Sequence, residues 1–141
     1  MVGRAPARLD GPMSLEHRIV DVPGLPQPVG FAHAVVAALG RTVYLGGQVG
    51  AGPTVVDQFD AAAVNLLAAL GAAGGKPEDL VSLVIYATDL DEYRASLGEL
   101  REIWQRHFGR RYPALALVGV SALFDPEAQI ELMGVAVVPD G

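Results

Sequence analysis

Residues 112–121 read Y-P-A-L-A-L-V-G-V-S, the most apolar strand candidate in the chain, with no charge between Arg111 and Asp125. Side chains alternate across a strand. Ala114, Ala116, Val118 and Val120 therefore face one way and Leu115, Leu117, Gly119 and Ser121 the other, so both faces are apolar. A strand of this kind needs cover on both sides, and the other elements are expected to pack around it. Residues 129–138, Q-I-E-L-M-G-V-A-V-V, repeat the pattern with one carboxylate, Glu131.

Working outward, residues 80–88 (L-V-S-L-V-I-Y-A-T) are β-branched and bounded by turn signals, the mark of a buried strand. Between them and residue 112 a helix opens at Asp89, whose carboxylate caps free amides, with Glu92 as the reciprocal half of a capping box. Tyr93, Leu97, Leu100, Trp104 and Phe108 make its buried stripe, and Gly109 closes it. An earlier helix, from about Val55 to Ala73, repeats apolar residues at Phe59, Ala62, Ala63, Leu66, Leu70 and Ala73 and stops at Gly74, Gly75 and Pro77. Ahead of it lie strands at 16–22, 31–38 and 41–48. The last two flank Leu39-Gly40, where the glycine is expected to supply the positive φ of a tight hairpin. The order predicts an α+β domain, a six-stranded mixed sheet with two helices on one face. Two helices cover one face only, so the other is expected to be buried against further copies of the chain. Residues 1–12, rich in Gly, Pro and Arg, read as a disordered lead-in to a single domain over 13–141, with Met13 as an alternative start.

The chain has 141 residues, enough for one domain, and no Cys, which excludes disulfides, zinc-cysteine sites and thiol nucleophiles. With no secretory apolar segment at its start, the cytoplasm is the default compartment. No apolar run reaches the roughly twenty residues of a membrane span, so no membrane partner is expected. A net charge of −6 argues against nucleic acid as a partner. One basic cluster, Arg101, Arg106, His107, Arg110 and Arg111, reads either as an RNA contact or as a solvated helix end. Three His without ligand spacing suggest no metal. The Gly-rich run 46–52 lacks the Lys-Ser/Thr of a phosphate loop and the order of a dinucleotide fingerprint, so no cofactor is expected.

Five strings in this order resemble the Rid family of reactive-intermediate deaminases, also called YjgF-like, over residues 26–138. F-A-H-A-V…T-V-Y-L-G-G-Q-V is similar to the family's Y-S-(Q/H)-A-V…V-F-V-S-G-Q. D-Q-F-D-A-A-A-V-N-L-L-A-A-L-G-A-A-G has the form of its first helix, and Y-A-T-D-L-D-E-Y of its strand-to-helix turn. P-A-L-A-L-V-G-V…I-E-L-M-G-V-A-V occupies the place of P-A-R-x-x-V…I-E-I-E-A-I-A. The resemblance implies a chorismate-mutase-like fold, a homotrimer whose sheets enclose a barrel, and small-molecule clefts between subunits. It also implies departures at the chemistry. The family's carboxylate-gripping Arg is Leu115, its cleft Tyr is Phe31, the Ser after it is Ala32, and a frequent Cys is Leu117. Glu131 matches the glutamate that positions the water attacking an imine carbon.

Glu131 is thus the first catalytic candidate, its alternative being a strand-end carboxylate facing water. His33 is the second, as a group that exchanges protons near neutral pH or as a hydrogen-bonded strand residue. Phe31, Gly46, Gly47, Gln48, Leu115 and Leu117 are the expected ligand-binding residues, with the amides near Gly46 and Gly47 receiving developing charge. Arg111 either reaches the cleft in place of the missing Arg or stays on a surface loop. Two functions follow: hydrolysis or tautomerisation of a small enamine or imine lacking a carboxylate, and ligand binding without catalysis. A ribonuclease-like RNA binder ranks below both.

Overall fold

The computed structural model describes residues 16–140, so the lead-in expected over 1–12 lies outside the described residues. The elements are β1 (Arg18–Val20), β2 (Ala34–Val36), β3 (Gly40–Gln48), α1 (Val55–Ala72), a 3-10 turn (Pro77–Asp79), β4 (Leu80–Ala87), α2 (Leu90–Ala95), α3 (Leu97–Phe108), β5 (Ala114–Gly119) and β6 (Ile130–Pro139). Four strands make the main sheet in the order β3-β6-β4-β5, with β5 parallel to β4 and the other pairs antiparallel.

The stretch 112–121 therefore forms an edge strand, not the centre. The crossover through α2 and α3 lays β5 beside β4 on the outside, whereas β6 can pair with both β3 and β4 and takes the middle. The six expected strands also do not make one sheet among the described residues. β1 and β2 are a separate antiparallel ribbon, joined to β5 by a single bridge at Ala32 and Ala114. Pro26 and Pro28 offer no amide, and Gly30 turns the chain at φ 79°, so β2 starts only at Ala34. The 31–38/41–48 hairpin is absent for the same reason: β2 pairs with β1 and β3 with β6. Gly40 is not at positive φ. It is glycine because a methyl group there would overlap the Val138 carbonyl. His17 fastens the ribbon's start, its Nδ1 accepting from the Ala38 amide at 3.0 Å and its Nε2 donating to the Val137 carbonyl at 2.9 Å.

Thr54 caps α1 by accepting from the Asp57 amide at 3.1 Å. The helix ends where Gly74, at φ 87°, lets the Gly75 amide reach the Leu70 carbonyl. By length and composition α1 could cross a membrane. Its stripe Val55, Phe59, Ala62, Ala63, Leu66 and Leu70 is instead buried in the core, although Ala73 is exposed. The second helix is broken at Ser96, whose amide bonds Tyr93 in a tight turn before α3 restarts. Ser96 and Gly98 are weak helix formers and make that break cheap. Asp89 caps α2 as expected, but Glu92 accepts from the Val55 amide of α1 at 3.5 Å instead of completing a box. Both long helices pack on one face of the sheet, over Leu45, Leu83, Ile85, Ile130 and Leu132.

Candidate functional site

Leu115 and Leu117 pair in register with the buried Leu83 and Ile85, which places them on the helix side of β5. There, with Phe31, Tyr93, Leu97 and Trp104, they line a cavity of about 440 Å³. Its back wall is an aromatic stack, Trp104 lying 4.2 Å from Phe108 and 5.0 Å from Tyr112 between ring centroids. The Trp104 indole N–H is buried and has no hydrogen-bond partner among the described residues. The Tyr93 phenol is pushed up to about 12, by burial first and by neighbouring Tyr112 second, and so stays protonated as a donor. Leu97, expected in the buried stripe, is 49 % exposed, and Arg101 one turn further along α3 is exposed beside it at the cavity mouth.

Glu131 stands elsewhere. Its register partner is Tyr86, and it shares with Met133 the sheet face turned away from the helices, half-buried. Opposite it β3 bulges between Leu45 and Gln48. A side chain at Gly47 would collide with the Glu131 carboxylate, so that glycine is required by close approach. Gln48 pairs with Leu132, and its amide donates to the Gly46 carbonyl at 3.4 Å. Glu131, Gly46, Gly47 and Gln48 are thus brought together at the β3–β6 end. Phe31, Leu115 and Leu117 are brought together at the β5 edge. Within one chain Glu131 is two strands from β5, roughly 10 Å, and Gly46, Gly47 and Gln48 are three strands from it, and Glu131 faces opposite to Leu115 and Leu117.

His33 packs edge-on against Phe31 at 5.0 Å and donates from Nε2 to the Pro26 carbonyl at 2.8 Å, over a shallow depression with Ser82, Val84 and Ala116. Arg111 does not reach Leu115. Its guanidinium donates to the His17 carbonyl at 3.1 Å, which anchors the ribbon.

The family described as endoribonuclease L-PSP matches residues 26–138. A 2-iminobutanoate/2-iminopropanoate deaminase of Dermatophagoides farinae is 31 % identical over 130 residues, covering 86 % of this chain and 96 % of that protein. The chain belongs to the Rid family. A solved Rid protein of unknown function from Yersinia pestis is 29 % identical, covers 86 % of this chain and 98 % of its own, and superposes with a TM-score of 0.76. A member of the YjgF/YER057c/UK114 family from Mycobacterium tuberculosis is 33 % identical, covering 78 % and 88 %, with a TM-score of 0.62.

Three polar residues of this Rid chain stood outside the sequence reading of the site. Gln58 is buried in α1 and donates to the carbonyls of Gly52 and Glu127, both at 3.1 Å, while accepting from the Gln129 amide at 2.7 Å. It locks the Gly-rich loop to the segment leading into Glu131. A glutamine among the apolar positions of the first helix was the available signal. Asp60 is the second, because it takes up part of the basic cluster: His107 bonds one carboxylate oxygen and Arg106 the other, at 3.0 Å. The His107 bond, aided by Arg106, outweighs burial and holds the Asp60 carboxyl below its ordinary value. With Arg111 also engaged, only Arg101 and Arg110 of the five cluster residues have no partner among the described residues. Arg101 is the third, since its place at the cavity depends on how α3 lies over β5.

Proposed function

We propose that this Rid protein hydrolyses a small enamine or imine, in clefts formed between copies of the chain, on a substrate with no carboxylate at the imine carbon. Water held by Glu131 adds to that carbon; the C–O bond forms, the C–N bond then breaks, and ammonia leaves behind a carbonyl product. Amides at Gly46 and Gly47 face the charge that develops, and His33 exchanges protons from the rim. The observation that carries this reading is the division of the candidate residues. An apolar cleft at the β5 edge and a carboxylate with adjacent glycines at the β3–β6 end are complementary halves on unlike ends of one sheet. A head-to-tail contact between copies brings unlike surfaces together and generates a ring where the rotation closes.

The ring proposed is a homotrimer, whose interior would take the uncovered sheet face. That face exposes Tyr44 at 81 %, Met133 at 41 % and Val118 at 40 %. The proposed location is the cytoplasm. Binding without turnover is the second reading, favoured by the floor of Leu115 and Leu117, which offers a substrate no charged partner.

Ammonia release from a panel of imines generated in situ tests the reaction. Glu131→Gln keeps the side chain's shape and is expected to abolish turnover; unchanged turnover on every substrate found would remove Glu131 from the mechanism. Light scattering is expected to give three chains per particle, and a monodisperse monomer at micromolar concentration would end the ring proposal.

A further inference from the structure

A second cavity, of about 220 Å³, shares Trp104 and Tyr112 with the β5 cleft and otherwise has different walls. Ile19 and Val35 of the ribbon, Leu80 at the start of β4 and Phe108 at the end of α3 close it. It exists because the ribbon does not join the main sheet: β1 and β2 pair with each other, and the space between them and the end of α3 is filled by no side chain of the described residues. The polar groups at this cavity are either spent or at its rim. Both ring nitrogens of His17 are taken by main-chain groups, the Ala38 amide and the Val137 carbonyl. Glu78, Arg110 and Arg111 are exposed and of both signs, so solvent and salt screen them. The shared wall carries one buried donor without an acceptor, the Trp104 indole N–H. The interior is thus apolar and aromatic, and it offers an occupant no buried charge.

We propose that this cavity is a second ligand site, for a neutral molecule the size of one aromatic ring, and that its occupancy is felt in the β5 cleft. An apolar cavity of about 150 Å³ takes benzene, so the volume here takes a ring with a short substituent. The occupant is neutral because a charged ring gives up hydration inside and finds no buried partner. Two routes lead from this site to the cleft. The first is the stack: Trp104 and Tyr112 lie 5.0 Å apart between centroids with their planes 11° from parallel, and they are wall to both cavities. Close-packed side chains transmit displacement, so an occupant that moves or braces these rings reshapes the back of the cleft. The second is the ribbon, whose chain between β1 and β2 carries Phe31 to the side of Leu115 and Leu117. The site stands whether the β5 cleft catalyses or only binds.

Benzyl alcohol is the probe, titrated at pH 7 into the full-length protein, isotope-labelled at the tryptophan indole nitrogen and the leucine methyl groups and followed by nuclear magnetic resonance. Trp104 is the chain's one tryptophan, so its indole signal reports occupancy. Leu115 and Leu117 line the β5 cleft and not this cavity, so their methyl signals report transmission. The expected result is a saturable shift of the indole and of both leucines with one midpoint, and at least tenfold weaker binding of benzoate and benzylammonium. Ile19→Phe, at a position 40 % exposed, fills the cavity from the ribbon and is expected to weaken binding at least tenfold and remove both sets of shifts together. Val35→Phe should do the same from the other strand, with circular dichroism showing that each variant is folded. Leu97→Phe narrows the β5 cleft alone and is expected to leave the affinity within about twofold. No saturable binding, binding that survives both ribbon variants, or binding lost in Leu97→Phe overturns the site. Equal affinity for either charged ring overturns the ligand class. A saturating indole shift with the Leu115 and Leu117 methyls unmoved overturns the coupling.

Discussion

On the helix side of the main sheet Leu83, Ile130 and Leu132 are at most 1 % exposed, whereas on the reverse side Met133 on β6 and Val118 on β5 keep 41 % and 40 % of their surface. The two faces are built from alternate residues of the same strands, and Met133 and Val118 are apolar like Leu83 and Ile130, so residue type does not account for the difference between these residues. Cover does. α1 and α3 remove one face from water at about 25 cal/mol for each Å² of apolar surface, and around Met133 and Val118 the reverse face is left open among the described residues. Glu131 lies on that reverse face opposite the β3 bulge, half-buried in the single chain, whereas the helix face would strip it of water.

A charge on the reverse face is expected to have the largest effect. Met133→Asp is expected to dissolve the assembly altogether, because an unpaired carboxylate buried in an interface costs several kcal/mol. Light scattering should fall to the mass of one chain while far-ultraviolet circular dichroism is retained; an intact trimer would show that this face stays in water. On the helix side, Trp104→Ala removes the centre of the stack with Phe108 and Tyr112 and is expected to cost about 3 to 5 kcal/mol in denaturant unfolding. A shift below about 1 kcal/mol would mean that the stack collapses around the loss.

Between the faces lies the β5 edge. Leu115→Arg adds a charge-assisted pair of about 1.5 to 3 kcal/mol and is expected to raise ammonia release from 2-iminopropionate about ten- to hundredfold. Wild-type turnover already at that level would show that another group grips the substrate carboxylate. The smallest effect is expected at Asp60, where a partly exposed ion pair joins the helices above the buried face. Its carboxyl is depressed in the fold, so its contribution is complete above the ordinary carboxylate pKa and is lost as pH falls through the lower, folded value. Asp60→Asn should cost under about 1 kcal/mol near neutrality and remove that acid-limb dependence from thermal melts.

Much of this was legible residue by residue. The strand expected at 80–88 is Leu80–Ala87, and the helix expected from about 55 to 73 is Val55–Ala72. Their periods are strong and their stop signals local. Leu115 and Leu117 were expected on one face from their spacing alone, and they share one cleft with Phe31. The break at Ser96 was hidden because Tyr93, Leu100 and Trp104 stay buried across it. Arg101 looked like one cation of a helix-end cluster until the position of α3 over β5 set it apart.

Taken by itself, the sequence determined what depends on neighbours along the chain: the alternation that sends Glu131 away from Leu132, the Asp89 cap and the stop at Gly74. Tertiary structure decided which of two similar apolar strands lies in the middle, why Gly40 and Gly47 must lack side chains, and which cations are left for a ligand. The physical reason is that strand pairing and helix docking are settled by contacts between residues distant in the chain. The free energy of such contacts depends on which partners remain available, and no local pattern records that.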